Sequence, residues 1–135
     1  IRDRNTLSFS ITAQNEVMLN DKPVAVEDIR RRIVDFVRMR GAQHLILVDA
    51  NPASDYNTYF TLENEIVAAY AEVRNTEAKR RYHRDYASCT DEQRKKVRDI
   101  YPQHLSETYN TAEVNNSSED NKTSKAVDEK KGGAE

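Results

Sequence analysis

Three histidines, a single cysteine and a run of basic residues interleaved with tyrosine are the side chains of this sequence best suited to chemistry. Cys89 stands in Ala87-Ser88-Cys89-Thr90 at an expected helix start, a position that lowers a thiol pKa, and His83 precedes it by six residues. A nucleophilic thiolate also needs a group that orients its base. None is evident, so Cys89 reads as a small residue at a helix junction. His44, His83 and His104 are far apart, and none shares a helix face with a carboxylate at the spacing of a zinc motif. They read as structural or surface residues. A phosphate-cradling loop needs several glycines, and residues 1–110 contain only Gly41. Asp49 and Asp55 flank the loop after an apolar stretch, where α/β proteins often place functional groups. They could meet a cation or a partner's base, but the preferred reading is local: Asp55 caps a helix and Asp49 pins the loop backbone. No catalytic residue, metal or other cofactor is expected.

The charge pattern is more informative. Residues 74–98 hold nine bases against four acids, a net of +5, whereas residues 1–73 hold eight bases and eleven acids. Lys79, Arg80, Arg81 and Arg84 form the dense part of the segment, with Tyr82 and Tyr86 among them. Such a stretch suits nucleic acid, anionic lipid headgroups or an anionic glycan. Solvated helix faces are built from the same residues, and the chain as a whole carries a net charge of -2. A nucleic-acid-binding domain is usually basic overall, so no nucleic-acid partner is expected, and an anion- or nucleic-acid-binding module built on residues 74–98 stays the alternative.

The elements that position these groups must come from a small chain. Its 135 residues, with 37% hydrophobic and 33% charged, fit one domain. The mean hydropathy of -0.90 is partly segregated into residues 111–135, whose apolar content is confined to Ala112, Val114, Ala126, Val127 and Ala134. That tail is expected to be disordered, leaving residues 1–110 to form the domain. The longest run of large apolar residues, Leu45-Ile46-Leu47-Val48, falls far short of the roughly 20 needed to span a bilayer. One cysteine permits no internal disulfide. The chain opens at Ile1 without Met, which reads as a processed or excised piece.

Leu7, Phe9 and Ile11 alternate with Ser8, Ser10 and Thr12, the period of a strand with one wet face. Asn15 suits a left-handed turn position before Val17-Met18-Leu19, so a hairpin is expected, with Asn20-Asp21-Lys22-Pro23 as the next turn. Ile29, Ile33, Phe36 and Val37 recur at helical spacing between Val26 and Arg40, and Gly41 supplies the C-cap. Leu45 to Val48 reads as a strand buried on both faces or central in the sheet, ended by Asp49. A second helix carries Tyr59, Leu62, Ile66 and Val73, its stripe thinning beyond Arg74 to Ala78, Tyr82 and Tyr86. Thr90-Asp91-Glu92-Gln93 fits a capping box for a short helix ended by Pro102, and residues 103–109 suit a last strand at a sheet edge. The expectation is an α+β fold: a small sheet of about four strands with helices on one face, in the order β-β-α-β-α-α-β.

From Leu7 to about Val73 the sequence resembles the periplasmic domain of the ExbD/TolR family of biopolymer-transport proteins. The resemblance rests on an alternating strand and hairpin (SFSITAQNEVMLNDKPV), an amphipathic helix (EDIRRRIVDFVRMRG), an apolar strand ending in Asp (HLILVDANPASDY) and a helix opening on tyrosines (YNTYFTLENEIVAAYAEV). Asn15 replaces a common Gly and tolerates the same backbone. The charged stretch from Arg74 through Ile100 departs from the family's short link to its final strand and resembles longer ExbD-like proteins of Bacteroidetes-type bacteria.

The resemblance implies a periplasmic domain of a single-pass bacterial inner-membrane protein, its anchor upstream of Ile1. Its partners would be an ExbB- or TolQ-like channel protein, a TonB- or TolA-like transducer and a second copy of itself. On this basis the candidate partner-binding residues are Lys79, Arg80, Arg81 and Arg84 in the basic segment, and Leu105 and Tyr109 on the last strand.

Overall fold

The structure, a computed structural model, describes residues 4–109. The tail expected to be disordered, residues 111–135, lies outside the described residues. The fold is α+β: a five-stranded mixed sheet with three helices. Strand β1 (Thr6–Ile11) is flanked on one side by antiparallel β2 (Val17–Leu19) and on the other by parallel β4 (Leu45–Ala50). The two-residue β3 (Lys22–Pro23) extends the β2 side, and β5 (Leu105–Tyr109) lies parallel to β4 at the opposite edge. The spatial order is β3-β2-β1-β4-β5.

The count exceeds the expected four because Asn20 and Asp21 both take left-handed backbone, φ 51° and 70°. That compact turn leaves Lys22 and Pro23 to pair with Leu19 and Met18 instead of remaining in the turn. The chain order is therefore β-β-β-α-β-α-α-β. Asn15, at φ 67°, makes the earlier turn as anticipated, and its side-chain oxygen accepts from the Asp55 amide, joining the hairpin to the start of the second helix.

Helix α1 (Val26–Arg40) buries Ile29, Ile33, Val34 and Val37, and ends at Gly41, whose φ of 60° turns the chain and whose amide bonds the Val37 carbonyl. Helix α2 (Tyr56–Tyr82) begins where the Asp55 carboxylate accepts from the Asn57 amide. Together α1 and α2 pack on the sheet face that carries Leu7, Phe9, Ile11, Ile46 and Val48. Each large apolar side chain buried there contributes about 1.5–3 kcal/mol.

Two expectations change. Asp49 does not end its strand, because β4 runs on to Ala50, and the strand is interior without being buried on both faces. Ile46, Val48 and Ala50 point into the core, while Leu45 and Leu47 are half-buried on the other face and Asp49 is exposed. Helix α2 runs for 27 residues, a long helix as its thinning stripe to Ala78 and Tyr82 implied. Its last turns leave the sheet and pack Ala78 against Cys89 and Val97, with Tyr82 and Tyr86 alongside, forming a second small core. Helix α3 (Asp91–Ile100) supplies Val97 and is held by the expected capping box of Thr90 and Gln93.

Candidate functional site

Strand β5 ends the sheet. Ile46 N–H donates to the His104 carbonyl at 2.9 Å, and in a parallel pair alternate residues bond the neighbouring strand. The intervening main-chain groups point outward, to where a sixth strand would lie. Leu105 is half-buried against the main core, and Ser106 and Thr108 are exposed. Tyr109 pairs in register with Ala50; its side chain lies outside the described residues.

The basic segment looks different in three dimensions than in sequence. Arg80 and Arg81 both donate to Glu77 at 2.7 Å, and Glu77 is only 7% exposed. The bond from Arg80 holds this carboxyl below its ordinary range, with Arg81 adding to it against the opposing effect of burial. Lys79 pairs with Asp85 at 3.3 Å, Arg94 with Asp91, and Lys95 with Asp99 at 2.9 Å. Arg84 reaches the Ser88 carbonyl, Arg98 donates to the Tyr86 hydroxyl at 2.9 Å, and Arg74 donates to the Tyr101 carbonyl at 3.1 Å. Of the nine bases, Lys96 alone has no such contact among the described residues. Tyr82 and Tyr86 are half-buried and pack against the second core, which takes up part of each ring.

The structure thus places the four basic candidates around the C-terminal end of α2 and the other two on β5, and no hydrogen bond or ion pair among the described residues links the groups. Cys89, 4% exposed, has its thiol against the Asp85 carbonyl at 3.4 Å. His83 sits in left-handed backbone as the C-cap of α2, its amide bonding the Lys79 carbonyl.

One polar constellation escapes the sequence pattern. His44, 1% exposed, has Nδ1 at 2.7 Å from the Gly41 carbonyl, which can only accept, so Nδ1 carries the proton and Nε2 accepts from the Tyr70 hydroxyl. The His104 ring stacks on His44 with centroids 5.5 Å apart, and its Nδ1 lies 3.2 Å from the His44 carbonyl. The Arg74 guanidinium lies over the Tyr70 ring. Burial holds His44 below its ordinary value; the Gly41 carbonyl opposes this, and the neighbouring His104 and Arg74 reinforce it. Burial likewise pushes the Tyr70 hydroxyl well up. The set sits where β4 and β5 begin, and it ties the α1 C-terminus, α2 and the approach to β5 together. Its one legible trace was a histidine placed between a helix-ending Gly41 and an apolar strand.

A cleft of about 500 Å³ opens between the hairpin and the first turns of α1 and α2, lined by Val17, Val24, Ile29 and Leu62 with Thr58 and Thr61. It is shaped for apolar contact. Among the described residues no group of three His, Cys, Asp or Glu side chains is placed to hold a metal ion. No protein-family model and no curated protein matches the chain.

Proposed function

We propose that this chain is the water-facing domain of an energy-transduction complex of the ExbD/TolR kind. It works in the periplasm beside an ExbB- or TolQ-like channel protein and a TonB- or TolA-like transducer, coupling proton-motive force to outer-membrane transport. Its contribution is dimerisation and partner binding, without catalysis. The order of elements in the resembling segments supports this reading, and the observation that carries it is the place of β5 at the end of the sheet, with no further strand beside it among the described residues. An extended partner segment, or a second copy, adds there as a further strand through main-chain bonds. Among the described residues no helix is long and apolar enough to cross a membrane. The ion pairs of residues 74–98 weigh against the alternative, an anion- or nucleic-acid-binding segment.

Sedimentation equilibrium with and without residues 105–109 tests the edge: association is lost on deletion while circular dichroism keeps the helical signal. Unchanged association sinks it. The gene upstream of Ile1 tests the wider reading, which requires about 20 apolar residues with one Asp among them.

A further inference from the structure

Where β1 begins against the last turns of α1, a cleft of about 390 Å³ is lined by Arg4, Arg32 and Arg40 around Leu7, Phe36 and Met39. Arg32, Phe36 and Arg40 follow at four-residue spacing and share one face of α1. The Arg40 guanidinium lies 5.8 Å from the centre of the Phe36 ring, and its Nε is buried without a hydrogen-bond partner. Met39 is 71% exposed. The other arginines near the start of α1 are engaged, Arg30 with Glu65 and Arg31 with Asp28. Arg4, Arg32 and Arg40 pair with no carboxylate among the described residues, although Asp35 also lines the cleft.

Guanidinium groups without a carboxylate partner favour an anion, and planar forks match phosphate oxygens; Arg40 is partly shielded from water, while Arg4 and Arg32 reach into it. A free phosphate would leave Met39 in water. A nucleic-acid strand needs a longer basic track than one cleft, on a chain that is not acidic overall. Basic side chains beside an exposed thioether and an aromatic ring form the arrangement of a surface that lies on lipid, where charged heads stay at the headgroups and apolar groups enter the acyl boundary.

We propose that this cleft docks on an anionic phospholipid surface, the three arginines meeting lipid phosphates and Met39 entering the acyl boundary in front of Phe36. The site goes beyond the transduction reading and stands without it.

The test is co-sedimentation of the full 135-residue chain with phosphatidylcholine vesicles and with vesicles in which about one lipid in four is phosphatidylglycerol. Binding is expected only to the second, weakening with salt and falling roughly fivefold for each arginine removed in Arg32→Gln and Arg32→Gln/Arg40→Gln. Arg32→Gln/Met39→Asp leaves the buried Arg40 untouched and is expected to lose binding as well, so misfolding of the first pair does not blunt the test. Lys95→Gln/Lys96→Gln, which removes two exposed charges of the other basic region, is expected to bind as the wild type. Equal binding to both vesicles, no binding, unaltered binding by the Arg32 variants, or an equal loss in the Lys95/Lys96 variant overturns the proposal. So does a saturable response of Arg32 and Arg40 to inorganic phosphate, followed by NMR, without vesicle binding.

Discussion

Two basic regions of this molecule invert the order that sequence gives them. Residues 74–98 carry the larger excess of charge, yet eight of their nine bases meet a carboxylate, a carbonyl or a hydroxyl; the cleft at the β1 start has three arginines, none of which pairs with a carboxylate among the described residues. The difference is one of helical spacing. Glu77 stands three and four residues before Arg80 and Arg81, and Asp91 stands three before Arg94, so these three bases find an acid on their own helix face. Arg40 finds Phe36 at the equivalent position, and Asp28, four residues before Arg32, is taken by Arg31. Net charge over a window therefore measures how many charges there are, not how many can receive a ligand.

The strongest way to break the contrast is to release the paired region from its own core. Val97 is fully buried between α3 and the end of α2, and Val97→Asp places an uncompensated charge there, costing about 3–5 kcal/mol in urea unfolding. The variant is expected to bind heparin in a salt-sensitive way that the wild type does not, because α3 no longer holds Arg94 and Arg98 in place. A loss well below that range would mean the second core does not anchor the segment.

Tyr70→Phe leaves the buried His44 Nε2 without its donor and should cost about 1–3 kcal/mol, loosening the approach to β5 without changing either basic region. Glu77→Gln acts on the contrast directly: about 1 kcal/mol of stability goes, and Arg80 and Arg81 become available.

Acid should do the same by titration. His44 and Glu77 are both held below their ordinary values, so each stabilises the fold in its deprotonated form. The His44 contribution is intact above its ordinary 6.5 and is lost as pH falls through the lower folded value; that of Glu77 is intact above 4.5 and is lost further down. Melting temperature against pH should therefore fall in two stages, and Glu77→Gln should remove the second. The smallest effect is expected at the other region, where Arg32→Gln changes stability by no more than about 0.5 kcal/mol. A larger change would mean that Arg32 serves the fold.

Much of the scaffold was legible because local rules govern it. The alternation around Phe9 gave β1, the spacing of Ile29, Ile33 and Val37 gave α1, and Gly41, Asp55 and Thr90 marked helix ends that the structure places there. A long α2 was legible in the stripe that thins beyond Arg74 to Ala78 and Tyr82; what its second half packs on was not, since it answers to Cys89 and Val97 and not to the sheet. Lys22 and Pro23 read as a turn because pairing two residues depends on the backbone of Asn20 and Asp21 before them. The edge position of residues 103–109 could be argued from their polarity. The His44 and Tyr70 couple could not, nor could the cleft that Arg4 and Leu7 complete beside Arg32, Phe36 and Arg40, because long-range packing brings those partners together.

The placement of β5 also sets an order of events. Its partner β4 is made early, yet it gains this neighbour only after α2 and α3 have been synthesised. Until then Leu45-Ile46-Leu47-Val48, the most apolar stretch of the chain, stands as a bare sheet edge, the kind of surface on which chains mispair and aggregate. Arrival of β5 replaces that edge with one carrying Ser106, Glu107 and Thr108. The last strand is thus a shield for its neighbour, and variants that weaken its seating should show first as poor recovery on refolding at high protein concentration.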